Sequence, residues 1–255
     1  MSDEEKYDYE SLIQIIEVVL KITHQNPIPQ LSRTIDSTIK NKKYYYEKVY
    51  YYSELFILRI KYNFEALNLL FPYFKNNPEI LYPINLIMRN LITDFLTGSY
   101  LFTIHYQCDE SNEFSNLDEV IGNLNAKAIE FALENDEKDP RLTNQILYYH
   151  FPHNLKKEDL SKIKRNPLNP SHIIKKIEHE NKTTINDYFN SYNNYFSKFE
   201  HFSDLFPLLI YKKNPYPDHC NAVMAGANQI VNCYRFLEKS IEDDKLLELI
   251  KRLTN

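Results

Sequence analysis

Pro83-Ile84-Asn85-Leu86-Ile87-Met88-Arg89-Asn90-Leu91-Ile92-Thr93-Asp94-Phe95-Leu96 decides what kind of fold this chain can build. At about 100° per residue, Ile84, Ile87, Met88, Leu91, Ile92 and Phe95 share one wide stripe, while Leu86 and Leu96 lie well outside it. A helix apolar around so much of its girth belongs at the centre of a helical domain. It also carries a cation. Arg89 sits on a flank with Leu86 and Leu96, with Thr93 and Tyr100 further along a similar line. A buried guanidinium without a partner is costly. Asp94 is displaced by about 140° around the helix and is a poor partner, so a partner is expected from another helix.

Outward from this helix, apolar spacing predicts further helices in both directions. Leu12, Ile15, Ile16, Val19 and Leu20 repeat at helical spacing from Tyr9 to His24, ahead of Pro27 and Pro29. A long helix is predicted over Tyr44 to Phe71, its first half tyrosine-rich (Y-Y-Y-E-K-V-Y-Y-Y), with Pro72 at its end. Asn77-Pro78-Glu79 starts the central helix, which is expected to reach Tyr106. Gln107 to Asn116 is polar and reads as a loop. One helix is predicted over Leu117 to Glu134, and shorter ones over Lys157 to Lys164 and His172 to His179. Further helices are predicted from Thr183-Thr184 to about Phe199, from Asp218 to Lys239 and from Asp243 to Leu253. No stretch alternates with period two between hairpin turns, and no repeat of fixed period is visible. The expectation is one all-α domain over residues 1–255. It would be an antiparallel bundle of four or five long helices with added short ones, and irregular insertions near 107–116 and 135–170.

Composition removes several function classes. Gly98, Gly122 and Gly226 are the only 3 glycines, so no G-x-G-x-x-G or G-x-x-x-x-G-K-[ST] phosphate loop can be written. The net charge of −5 argues against a face that binds DNA constitutively. Arg89, Asp94 and His105 make the apolar run from Leu81 to Tyr106 unsuitable for lipid, and the acidic N-terminus has no apolar signal segment. Cys108, Cys220 and Cys233 form no C-x-x-C pair and read as reduced thiols. A cytoplasmic protein that does not enter a membrane is expected.

The sharpest candidate chemistry lies in N-N-Y-F-S-K-F-E-H-F-S-D-L-F, Asn193 to Phe206, where Ser197, Lys198, Glu200 and His201 interrupt a run of aromatics. Glu200 is a candidate partner for Arg89, with Tyr100 or His201 completing a buried polar network that fixes how two helices dock. The functional alternative makes Arg89 an anion site and His201 a general acid or base, since an imidazole titrates near working pH. Arg89 and Lys198 would then stabilise developing charge, with Tyr100 and Ser197 contacting substrate.

Arg89 in its apolar helix, followed much later by Y-F-S-K-F-E-H-F-S, resembles a broad group of all-helical bacterial proteins related to abortive-infection and HEPN-type domains. In that group an acid stands four residues after the Arg. Here that position is Thr93, and Asp94 is one further on. The resemblance implies a defence- or toxin-related ribonuclease working without a metal, with His201, Arg89 and Glu200 catalytic and RNA held in a local basic groove. The R-x(4–6)-H pattern of HEPN ribonucleases occurs as Arg165 to His172, but two prolines make this a connector before a helix capped by Asn169 or Ser171.

No cofactor or metal site is expected. His150-Phe151-Pro152-His153 and Asp218-His219-Cys220 lack further ligands at zinc spacing, and Glu-x-x-His is absent. The non-catalytic alternative is a helical interaction or scaffold protein that forms a homo-oligomer through the Tyr44 to Tyr52 helix.

Overall fold

In the computed structural model, which describes residues 9–26, 40–74, 77–111, 117–150, 157–163, 168–177, 182–199 and 214–237, Pro83–Leu96 lies inside a helix spanning Leu81–Ser111. Every regular element among the described residues is helical, so the fold is all-α. In chain order they are α1 (Tyr9–Gln25), α2 (Lys40–Phe74), a 3-10 turn (Pro78–Ile80), α3 (Leu81–Ser111), α4 (Leu117–Leu124), α5 (Ala126–Glu134) and α6 (Pro140–His150). Then follow α7 (Lys157–Leu160), α8 (Pro170–Lys176), α9 (Lys182–Asn194), a second 3-10 turn (Phe196–Phe199) and α10 (Tyr216–Phe236). The predicted helix over Asp243 to Leu253 lies outside the described residues. No helix among the described residues is long and apolar enough to cross a membrane.

Packing groups the chain into two compact units. The first holds residues 1–33, 50–99 and 178–255, and the second holds 34–49 and 100–177, so the division falls inside both α2 and α3. In the first unit α10 packs on α1 and α9. Its core joins Leu12, Ile15, Ile16 and Val19 of α1 to Ile60, Phe64 and Leu67 of α2 and Ile84, Met88, Leu91 and Ile92 of α3, all fully buried. The core face of α10 is built from small residues, Ala222, Ala225, Gly226 and Ala227. Gly226 has a reason of space: a Cβ there would stand 2.9 Å from Phe64 Cζ and 3.0 Å from Leu91 Cδ2. Polar side chains fix the same packing at its ends. The Tyr234 hydroxyl donates to Asn26 O at 2.7 Å, and the Asn228 amide donates to the Tyr188 hydroxyl at 2.9 Å.

The second unit packs α5 on α4 and α6, and α6 on α7. Several sequence expectations need correction here. Gln107 to Ser111 continues α3 instead of opening a loop. Extending an existing helix costs less than ending it, and the Ser111 hydroxyl donates back to Gln107 O at 2.8 Å. The single helix expected over Leu117 to Glu134 is interrupted at Asn125, whose side-chain amide takes Ile121 O at 2.8 Å. The stretch 135–170 contains α6, which the broken apolar pattern conceals. Asp139 starts it by accepting from Arg141 N at 3.1 Å, with Pro140 in the first helical position. Asn169 caps α8 by accepting from Ser171 N at 2.9 Å, and that helix ends at Lys176, short of the predicted His179.

The Gly226→Ala variant tests the close approach of α10. A methyl group there forces Phe64 or Leu91 aside, and overpacking of this kind costs about 1–3 kcal/mol. The same change improves helix propensity by about 1 kcal/mol. A lower urea midpoint is expected; a raised one would mean the contact gives way freely.

Candidate functional site

Of the residues the sequence singles out, Arg89 lies half-buried on α3, with its guanidinium 5.7 Å from the centre of the Tyr192 ring on α9. One group it meets on a second helix is thus an aromatic face, a setting that favours a cation electrostatically. The Ser197 hydroxyl donates to Asn193 O at 2.9 Å, which ties it to its own helix end, while Lys198 is exposed. Tyr100 is buried and belongs to the second unit, whereas Arg89, Ser197 and Lys198 belong to the first. Glu200 and His201 lie outside the described residues. Asp94, discounted as a partner for Arg89, bonds another arginine: Arg59 Nη2 on α2 lies 2.9 Å from its Oδ1.

The most developed polar cluster surrounds His219, in the Asp218-His219-Cys220 triplet at the start of α10. This imidazole is fully buried, as are Asn85 and Tyr195. Nε2 lies 2.7 Å from Asn85 Oδ1, and the Asn85 amide nitrogen donates to the Tyr195 hydroxyl at 3.1 Å. Asn85 Oδ1 can only accept, so Nε2 carries the proton, and Nδ1 accepts from the Tyr9 hydroxyl at 3.2 Å. Phe196 stacks on the ring with centroids 6.1 Å apart, and Tyr9 meets Phe71, Phe74 and Tyr216. Burial pushes the imidazole down to about 3, so it is neutral at any ordinary pH. With both nitrogens engaged by neutral groups, this histidine pins α1, α3, α10 and the segment after α9 together. The Asp218-His219-Cys220 triplet shows no metal-site spacing, and the available signal for a structural role was Asn85, an amide that shares its apolar run with Asn90.

A second cluster spans α2, α3 and α10. Asp94 is only 2% exposed, and burial raises its carboxyl to about 7, against the opposing pull of Arg59. Arg59 is largely in water, which screens that pull. The fully buried Gln229 amide donates to Cys233 Sγ at 3.4 Å, and burial pushes the Cys233 thiol up. Asp94 Oδ2 and Gln229 Oε1 have no hydrogen-bond partner among the described residues. Gly98, one turn beyond Asp94, makes room for Gln229, whose amide a Cβ at that position would overlap. Among the described residues no group of three His, Cys, Asp or Glu side chains could hold a metal ion.

On the surface, the feature that stands out is the outer face of α2. Its core face carries Phe56, Ile57, Ile60, Phe64, Leu67 and Phe71, all buried. On the opposite side Leu58, Tyr62, Leu69 and Tyr73 are 38%, 61%, 70% and 62% exposed. Earlier on the same helix, Tyr50 and Tyr51 are half-buried and Tyr52 is buried, so the most exposed part of the outward apolar surface lies further along than the tyrosine cluster. Comparison with protein-family models, curated proteins and solved structures finds no match to this chain.

The two buried ionisable groups make opposite demands on pH. His219 falls from 6.5 to about 3 on folding, so its contribution is present above pH 6.5 and is lost as the pH falls towards 3. Asp94 rises from 3.8 to about 7, so its contribution is present below pH 3.8 and is lost as the pH rises through 7. Each changes stability by up to about 1.4 kcal/mol per pH unit where they overlap, with opposite sign. Relative to the parent, Asp94→Asn should gain stability as the pH rises from 4 to 6.5, and His219→Gln should lose it. Denaturant midpoints across that range check this, and parallel profiles for all three proteins would contradict both shifts.

Proposed function

We propose that the chain is a non-catalytic helical interaction protein whose working surface is the outer face of α2. One observation carries this reading: Leu58, Tyr62, Leu69 and Tyr73 are exposed on the side of α2 opposite its core face. A helix of a folded unit needs one apolar face for its own core. A second, contiguous one adds nothing to that core, and exposed apolar surface of this kind marks interaction sites. Tyrosine suits such a role, since its ring supplies contact area and its hydroxyl stays wet. Lone exposed apolar residues such as Tyr106 and Phe131 are ordinary surface and need no such account. The buried polar clusters fit the same reading, because His219 is fully engaged in holding helices and is held neutral.

A photo-crosslinking side chain placed at Tyr62 in cells expressing the full chain tests the proposal. Covalent adducts should form there and be lacking when the same group replaces the exposed Lys127 of α5. If position 62 yields no adduct, this surface is not used.

A second reading, a HEPN-like, abortive-infection-related ribonuclease of the bacterial cytoplasm, is favoured by the placement of Arg89. Its guanidinium is half-buried beside Tyr192 and on the same unit as the exposed Lys198. On this reading His201 is the acid or base, Glu200 assists it, and RNA is the substrate. The purified chain should then cleave RNA in the presence of a chelator, and His201→Ala should lower the rate by at least about 100-fold. A parent chain with no cleavage, or a variant that cleaves equally well, rules this reading out.

A further inference from the structure

The outer face of α2 carries its apolar residues in an ordered stripe. Tyr51, Leu55, Leu58, Tyr62, Ala66, Leu69 and Tyr73 all fall within about 80° of arc on the helix. Leu58, Tyr62, Leu69 and Tyr73 are exposed, and Tyr51, Leu55 and Ala66 are half-buried. Tyrosine recurs every eleventh position, at 51, 62 and 73, a spacing that drifts only about 20° per repeat and keeps the stripe nearly parallel to the axis. The steps between successive stripe residues run four, three, four, four, three, four, the same in either direction from Tyr62.

That symmetry has a specific consequence. Two identical helices running antiparallel about a two-fold axis at Tyr62 bring Tyr62 against itself. Tyr51 then meets the second copy's Tyr73, Leu55 meets the second copy's Leu69, and Leu58 meets the second copy's Ala66. An isologous contact requires this self-complementarity, and an unrelated partner has no need of it. Charge agrees. Lys61 and Glu65 lie on the same flank of the stripe and pair within their own helix at 3.9 Å. In the antiparallel arrangement Lys61 comes within about 3 Å along the axis of the level of the second copy's Glu65, and the reverse pair forms by symmetry.

The area is of the right order. The four exposed side chains offer on the order of 500 Å², so two copies meeting here bury about 1,000 Å² or more, the lower end of specific interfaces. We infer that the chain forms an antiparallel two-fold dimer through residues 51–73 of α2, with Tyr62 on the axis. This rests on the reading of that face as an interaction surface and names its partner.

Sedimentation of the full chain at about 100 μM should give twice the 30.5 kDa chain mass, the range expected of an interface this small. Tyr62→Glu sets two carboxylates at the axis and should weaken the dimer at least about 10-fold. Tyr62→Cys should cross-link to itself on mild oxidation, whereas Leu69→Cys should not, because its own symmetry mate is about 20 Å away. Lys61→Glu and Glu65→Lys chains should each dimerise poorly alone and pair with one another when mixed. A parent chain that stays at 30.5 kDa, a dimer indifferent to Tyr62→Glu, or efficient cross-linking through Leu69→Cys each overturns the inference. Failure of the underlying reading looks different: a monomeric parent whose position 62 still captures another protein in cells retires the second copy alone, while no capture at all retires the surface.

Discussion

A neutral imidazole with no exposure is the constraint around which the first unit is arranged. His219 can be buried without a large penalty only if it carries no charge and both ring nitrogens are satisfied. Asn85 and Tyr9 meet those demands from opposite sides, one accepting and the other donating. Because Asn85 also donates to Tyr195, moving any one of these helices leaves a buried polar group unmatched in another. Apolar packing alone tolerates sliding between helices; a closed set of donors and acceptors does not. The aromatic rings of Tyr9, Phe71, Phe74, Phe196 and Tyr216 then keep water from competing for those bonds.

The Asp94 cluster follows different logic. Here a carboxyl is buried with an arginine that reaches it from the solvent side, so the ion pair is half inside and half outside. Burial outweighs attraction, and the carboxyl sits near the point where it is charged or neutral with comparable ease. The amide of Gln229 and the thiol of Cys233 lie alongside, in a gap that exists because residue 98 is glycine. One cluster is therefore closed and indifferent to protonation in ordinary conditions, and the other holds acceptors whose pairing depends on it.

The fold was legible wherever apolar spacing ran uninterrupted. The stretch from Pro83 to Leu96 announced a central helix, and α1, α2 and α10 followed from the same periodicity. Where polar residues carry local hydrogen bonds, periodicity misleads. Asn125 ends one helix and begins the next, Asp139 with Pro140 opens α6 within a stretch that has little apolar pattern, and Ser111 extends α3 through polar sequence. The candidate site was less legible because spacing on one helix says little about which polar groups meet across helices. Asp94 was set aside for Arg89 on sound geometry, yet nothing in the sequence indicated that Arg59 would claim it from α2. Asn85 and His219 are 134 positions apart, and their meeting depends on how α3 and α10 lie against one another.

The two faces of α2 explain why its outward stripe is hard to read from the sequence. An amphipathic helix advertises itself by contrast between its sides. Here both sides are apolar: Ile60, Phe64 and Leu67 serve the core, and Leu58, Tyr62 and Leu69 face outward, with the charges of residues 51–73, Glu54, Arg59, Lys61 and Glu65, on the flanks. Summed around the axis, the two stripes nearly cancel, and the helix looks merely rich in tyrosine. The resolution lies in burial. The inner residues are sealed and therefore constrained by fit, whereas Leu58, Tyr62 and Leu69 stay exposed. A random outer surface would scatter its apolar residues and break their spacing with charge. The spacing here is orderly, symmetric about Tyr62 and edged by Lys61 and Glu65, and on the proposed reading that order serves contact with a second copy.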